Sequence, residues 1–355
     1  MSIINFGNSI TLQQAADLIV STPENRYLLQ GEPGIGKSSI MGSIRSKLPS
    51  HLFAYIDVPN TDLGDVAMPA MDHEKQVTRY YPNSRFNLHL NKPVVIMLDE
   101  FTKGAEPVKN MFHPMLETHN PRLGDLPIHK DSIVFLTGNM GSDGVGDQLK
   151  AHTRNRIVPV QVHKPTADEW LGWAVNNDVD GVVMAWVNER NQVLASYMDE
   201  GEADNEYIFN PKKVQTAYVS PRSLERASNI IKARDKVDSD TLICALTGAI
   251  GESGSRDLQA YLAYQQQIPK WEDIIEAPKK AKVPDSAGAS YVLIFNAIAK
   301  ISTETITPFM EYLKRLEPEF QATFCINIAK NPQRQTIAFA AKAFSEWVQE
   351  NEDLL

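Results

Sequence analysis

Gly31-Glu32-Pro33-Gly34-Ile35-Gly36-Lys37-Ser38 is the stretch whose reading decides the fold. It follows the spacing Gly, four residues, Gly-Lys-Ser, and lies between the apolar run Tyr27-Leu28-Leu29 and a stretch, 37–48, that reads as helix. Chemistry requires that context. Glycines let successive backbone N–H groups turn inward as an anion nest, and the following helix adds the positive end of its dipole. Lys37 is expected to reach terminal phosphates and the Ser38 hydroxyl to ligate magnesium, with the cofactor-binding stretch running from Gly31 to Ser39.

Working outward, short aliphatic or β-branched runs suited to burial on both faces occur at 52–58, 94–98, 133–137 and 157–162. With Tyr27-Leu28-Leu29 they make five parallel-type strands, alternating with helical patterning. Thr11 and Gln14 form a capping box for a helix carrying Leu12, Ala15, Ala16 and Ile19 on one face. An α/β domain, a parallel sheet flanked by helices, is therefore expected to end near His163. From Pro165 onward the pattern is helical, opened by a second capping box, Thr166 and Glu169, ahead of Trp170, Leu171 and Trp173. Asp199 to Glu206 reads as a solvated acidic loop, and the basic, Pro-bounded stretch Pro278 to Pro284 as a linker. The expected organisation is a core at 1–163, a helical region at 164–278 and an all-α extension at 279–355.

A nucleotide site needs a carboxylate for its metal at the tip of a neighbouring strand, where open parallel sheets bind ligands. Asp99, emerging from Val94-Val95-Ile96-Met97-Leu98, supplies it, and Glu100 is placed to polarise an attacking water. The next strand, Ile133 to Thr137, ends in Gly138-Asn139, whose neutral amide can orient that water. Asn91-Lys92-Pro93-Val94 lacks the acid of the guanine-specifying motif, which removes the main support for a GTPase.

Together these elements, with Arg154-Asn155-Arg156 ahead of the last strand, resemble the Walker A, Walker B, sensor 1 and arginine-finger elements of AAA+ ATPases. Leu116-Glu117 followed by Arg122-Leu123-Gly124-Asp125 is similar to the MoxR and dynein-related branch, in which a helix and hairpin follow Walker B. The resemblance covers roughly residues 1 to 230. It implies a P-loop NTPase core with a helical lid, ATP and Mg2+ as cofactors, and a homohexameric ring that remodels or matures a protein partner, often one with a von Willebrand factor A domain. It also implies that Arg156 enters the neighbouring subunit's site, with Arg154 as the alternative. Arg222 would be the sensor 2 arginine. It follows the cap Ser220 and Pro221 into the first turn of a helix, where the dipole opposes a cation by about 0.3–1 kcal/mol and a nearby anion would offset that cost.

Composition bounds the rest. The chain has 355 residues, 35 Lys and Arg against 44 Asp and Glu, and a net charge of −9, which argues against binding nucleic acid by bulk electrostatics. Cys244 and Cys325 are far apart and make neither a disulfide framework nor a thiolate metal site, so a reducing compartment, the cytoplasm, is expected. The start, Met1 to Asn5, has no basic region followed by an apolar one, and no apolar run reaches the roughly eighteen residues of a membrane span. The eight histidines form no His-x-x-x-His pair, which excludes that type of zinc site. Pro114 should kink the helix after Asp99. The segment Thr61 to Met71 and the pair Tyr80-Tyr81 read as loops, which in related motors grip substrate, with ordinary packing of these residues as the alternative reading. A nucleic-acid motor or loader, a nucleotide-gated scaffold with little turnover and a small-molecule kinase are the competing readings. The charge counts against the first, Glu100 and Asn139 against the second, and the lack of an evident acceptor pocket against the third.

Overall fold

The computed structural model describes residues 9–140 and 149–351, so Met1 to Asn5 lie outside the described part. The chain divides into two compact units, Met1–Lys164 and Pro165–Leu355. In chain order the strands are β1 (Tyr27–Gln30), β2 (Leu52–Asp57), β3 (Ala67–Asp72), β4 (Val77–Pro82), β5 (Val94–Asp99), β6 (Arg122–Leu123), β7 (Leu126–Pro127), β8 (Ile133–Gly138) and β9 (Val158–Gln161). Five of them form the central sheet of the first unit in the order β2-β5-β8-β1-β9, and every neighbouring pair is parallel.

All six residues of β5 and all six of β8 are buried, as strands covered on both faces must be. The period of two sorts them. Leu29, Val95, Met97, Ile133 and Phe135 pack with Ala15, Ala16 and Ile19 of α1 (Leu12–Ser21) and with Ile40 and Ile44 of α2 (Ile40–Lys47). Leu28, Ile96, Leu98, Val134 and Leu136 pack on the other face with Phe112 and Met115 of α4 (Glu106–Leu116), which follows the one-turn helix α3 (Leu63–Val66). Pro114 falls in the last turn of α4, and the helix stops two residues later. A short α5 (Ala151–Arg154) precedes β9.

Two hairpins stand apart from the sheet. The stretch read as loops instead folds as α3, capped by Asp62, and an antiparallel hairpin of β3 with β4. Local sequence hides it, because Met68, Pro69 and Ala70 carry little strand propensity. The stabilising contacts are cross-strand ones, Met68 opposite Tyr81 and Pro69 opposite Tyr80. The β6–β7 hairpin docks on it: the Asp125 N–H donates to the Tyr80 carbonyl at 2.9 Å, and the Tyr80 N–H donates to the Asp125 carboxylate at 2.8 Å. Gly124 makes this approach possible, since its φ is +54° and a Cβ there would lie 2.3 Å from the Tyr80 carbonyl oxygen.

The second unit contains α6 (Ala167–Ala174), α7 (Gly181–Glu189), α8 (Pro221–Lys232), α9 (Ser239–Tyr264), α10 (Trp271–Glu276), α11 (Ala287–Lys300), α12 (Ile306–Leu313), α13 (Pro318–Ala329), α14 (Pro332–Phe339) and α15 (Lys342–Glu350). One apolar core runs from Trp170 to Trp347, so the stretches on either side of 278/279 share a single interior. The reason is α11, which lies beyond the Pro-bounded linker yet has ten buried residues and packs on α7, α9 and α13. A linker read from composition marks a surface turn here. No helix among the described residues is long and apolar enough to cross a membrane.

Candidate active site

The strand order brings three tips side by side. Because β8 lies between β1 and β5, its tip residue Asn139 stands between the phosphate-type loop after β1 and Asp99 at the end of β5. The loop turns through Gly34 (φ +78°) and Gly36 (φ +102°), conformations in which a side chain would be strained. Lys37 is buried, and its ammonium donates to the Gly31 carbonyl at 2.8 Å, the Glu32 carbonyl at 2.9 Å and Asn139 Oδ1 at 3.2 Å. Those neutral oxygens hold the cation where an anionic phosphate would meet it, which adds the attraction of opposite charges to the hydrogen bonds.

Asp99 is also buried, and hydroxyl groups surround its carboxylate. Ser38 Oγ donates to Oδ2 at 3.1 Å, Tyr55 OH donates to Oδ2 at 2.7 Å, and Thr137 Oγ1 donates to Oδ1. Asp99 has no ion pair among the described residues. Oxygen ligands from Asp99 and Ser38 match a hard divalent cation that keeps most of its waters. The residues present therefore fit magnesium. Tyr55 and Thr137 were not legible from sequence, since nothing local connects β2 or the interior of β8 to Asp99. Burial, then the bond to Asp99, pushes the Tyr55 phenol well above its ordinary pKa, so it remains a proton donor at neutral pH.

Glu100 adopts a left-handed conformation (φ +49°), and its N–H donates to Thr137 Oγ1 at 3.0 Å. Its carboxylate accepts from Lys103 at 2.9 Å in a pair open to solvent. Such pairs contribute about 0–1 kcal/mol, a weak restraint on the side chain.

The two candidate finger arginines lie at the opposite end of the sheet. Tyr27 pairs with Val158 and Gln30 with Gln161 in parallel, so Arg156 precedes the start of β9 while the phosphate-type loop follows the end of β1. Four residues of strand, about 13 Å, separate the two ends. Arg156 Nε donates to Glu117 Oε1 at 2.7 Å and its NH1 donates to the His152 carbonyl at 2.7 Å. Its remaining terminal nitrogen has no hydrogen-bond partner among the described residues. Two open grooves of about 480 and 430 Å³ adjoin here and share Glu117 and Arg156. His113 shares a hydrogen bond with Thr153 at 2.9 Å and meets the His152 ring edge-on at 4.8 Å. Burial, reinforced by His152 and Arg156, lowers its pKa. Arg154 is exposed at the end of α5.

In the second unit Ser220 caps α8 by accepting the Ser223 N–H at 3.2 Å, and Pro221 occupies the first turn. Arg222 is exposed beside it and has no ion pair among the described residues.

No protein-family model matches the chain, and no curated protein matches it in sequence. Among solved structures, a candidate ATPase from Cytophaga hutchinsonii is similar over 69% of this chain and 83% of its own, at 15% identity and a TM-score of 0.30. NtrX from Brucella abortus, in complex with ADP, is similar over 97% of this chain and 67% of its own, at 14% identity and a TM-score of 0.34. These values are too low to assign function, which rests on the site.

Proposed function

We propose that this protein hydrolyses ATP with Mg2+, as a subunit of a MoxR-like AAA+ ring that remodels or matures a protein partner. One observation carries the ATPase reading: Lys37, Asn139, Asp99 and Ser38 meet through hydrogen bonds at the carboxyl ends of three adjacent parallel strands. Gly31 to Ser39 cradle the phosphates, with Lys37 exchanging the Gly31 and Glu32 carbonyls for phosphate oxygens. Ser38 and Asp99 hold Mg2+, which neutralises charge building on the phosphates. Asn139, already fixed against Lys37, orients the attacking water, and Glu100 polarises it after leaving Lys103.

Assembly is supported by the position of Arg156. A finger at the amino end of β9 serves the site of a second copy, and hydrolysis then depends on the ring. Arg156, held by Glu117, is favoured over the exposed Arg154. Arg222 is proposed to act on the γ-phosphate, and Arg222→Ala should lower turnover with nucleotide binding retained.

The deciding experiment measures Mg2+-dependent phosphate release beside binding of a fluorescent ATP analogue. Lys37→Ala should lose binding. Glu100→Gln should bind normally and turn over at least about 100-fold more slowly, in the range of general acid–base contributions. Undiminished hydrolysis by Glu100→Gln would overturn the catalytic assignment. The same variant loaded with ATP is the reagent for capturing the remodelled protein.

A further inference from the structure

Three hydroxyl groups converge on the Asp99 carboxylate, and the ATPase reading accounts for one of them, Ser38. A second, Thr137, is wholly buried and does double duty, donating to Oδ1 while accepting the Glu100 N–H, so its place follows from the strand interior. The third, Tyr55, is different. It lies on the edge strand β2, and 52% of it is exposed, so burial of its ring does not dictate where the side chain goes. In the register of β2 with β5 it stands opposite Met97, two residues short of Asp99. A phenol is long enough to span that offset, and it does so: the hydroxyl reaches Asp99 Oδ2 at 2.7 Å, the same oxygen that accepts Ser38 at 3.1 Å.

We propose that Tyr55 is a positioning residue for the divalent cation of the nucleotide. Its hydroxyl fixes the rotation of the Asp99 carboxylate so that Oδ2 holds the Ser38 hydroxyl toward the cation and the free site of Oδ1 faces the cation's bound water. The inference rests on the assignment of Asp99 and Ser38 as the magnesium-holding pair. A carboxylate has about four lone-pair sites, two on each oxygen: Tyr55 and Ser38 take those of Oδ2, Thr137 takes one of Oδ1, and the remaining Oδ1 site can face a cation's bound water. Because Ser38 donates its proton to Oδ2, its lone pairs are turned outward, the orientation a metal ligand needs. Outer hydrogen bonds of this kind typically change metal affinity by 10–100-fold when removed. Phenylalanine at position 55 keeps the ring and removes only the oxygen, and the half-exposed position should accept it without loss of fold.

The test is a Mg2+ titration of the affinity for a fluorescent ADP analogue, which needs no turnover. Wild type, Tyr55→Phe and Asp99→Asn are compared, each also measured in EDTA. The expected result for Tyr55→Phe is a metal-free affinity within about twofold of wild type and a Mg2+ midpoint raised about tenfold. An unchanged midpoint overturns the proposal. So does an equal loss of affinity with and without metal, because Tyr55 would then be part of the nucleotide pocket itself. Asp99→Asn separates the underlying assignment from the inference. If it shifts the midpoint and Tyr55→Phe does not, only the role of Tyr55 fails. If Asp99→Asn does not shift it either, the metal-holding pair is misassigned and the role of Tyr55 falls with it.

Discussion

The two ends of the parallel sheet carry opposite kinds of chemistry. At the carboxyl end, buried groups are bonded to one another: Lys37 to backbone and Asn139 oxygens, and Asp99 to three hydroxyls. At the amino end, Arg156, His113 and His152 stand around open grooves, and Glu117 pairs with Arg156. Four residues of strand lie between the ends, so one chain cannot bring Arg156 to its own Lys37. In the proposed ring the sheet is a spacer, and each end would serve the other end of a second copy.

The first test of that contrast removes the amino-end cation. Arg156→Ala should retain nucleotide affinity and lose about 10³-fold or more in turnover, the effect of an arginine finger. Mixing it with Lys37→Ala should restore part of the activity, because one intact phosphate loop then faces one intact Arg156. No recovery with assembly intact would confine both ends to separate roles. At the carboxyl end, Thr137→Val leaves the Glu100 N–H and Asp99 Oδ1 each without a partner. It should destabilise the first unit by about 1–3 kcal/mol, the cost of an unmet buried hydrogen bond, measured by calorimetry. Glu117→Gln, by contrast, breaks a solvent-open pair and should change stability by no more than about 1 kcal/mol. Its effect belongs in turnover, where a loosened Arg156 reads out, and equal thermal losses at the two ends would abolish the distinction.

The smallest expected effect is a pH dependence. The folded pKa of His113 is depressed, so the unfolded chain takes up the proton first as pH falls. The contribution of His113 is intact above its unfolded value of about 6.5 and is lost as pH drops through the lowered folded value. The melting temperature of the first unit should fall by less than about 4 °C between pH 7.5 and 5.5. All eight histidines lie within residues 1–164, and all five tryptophans lie beyond them. Tryptophan fluorescence therefore reads the second unit alone, and a matching transition there over this pH range would place the proton uptake elsewhere.

The units differ in charge as well. Residues 1–164 contain 16 Lys and Arg and 16 Asp and Glu, and residues 165–355 contain 19 and 28, so the whole −9 belongs to the helical part. The argument from net charge against nucleic acid thus applies to the second unit and leaves the first one neutral.

The sequence alone determined the phosphate-type loop, the carboxylate at the end of an aliphatic strand, the polar strand tip at Asn139 and the helix caps at Thr11, Thr166 and Ser220. Each is local: a few neighbouring residues satisfy the backbone or bury both faces of a strand, and their spacing shows it. Only the tertiary structure decided what depends on residues far apart in the chain. The order β2-β5-β8-β1-β9 puts Asn139 beside Lys37, and the β2–β5 register brings Tyr55 to Asp99. The β3–β4 hairpin is set by cross-strand pairs, and the single core of the second unit by α11 packing on α7. Such contacts are chosen by which apolar faces bury one another best, a property of the whole assembled chain that no local window of sequence contains.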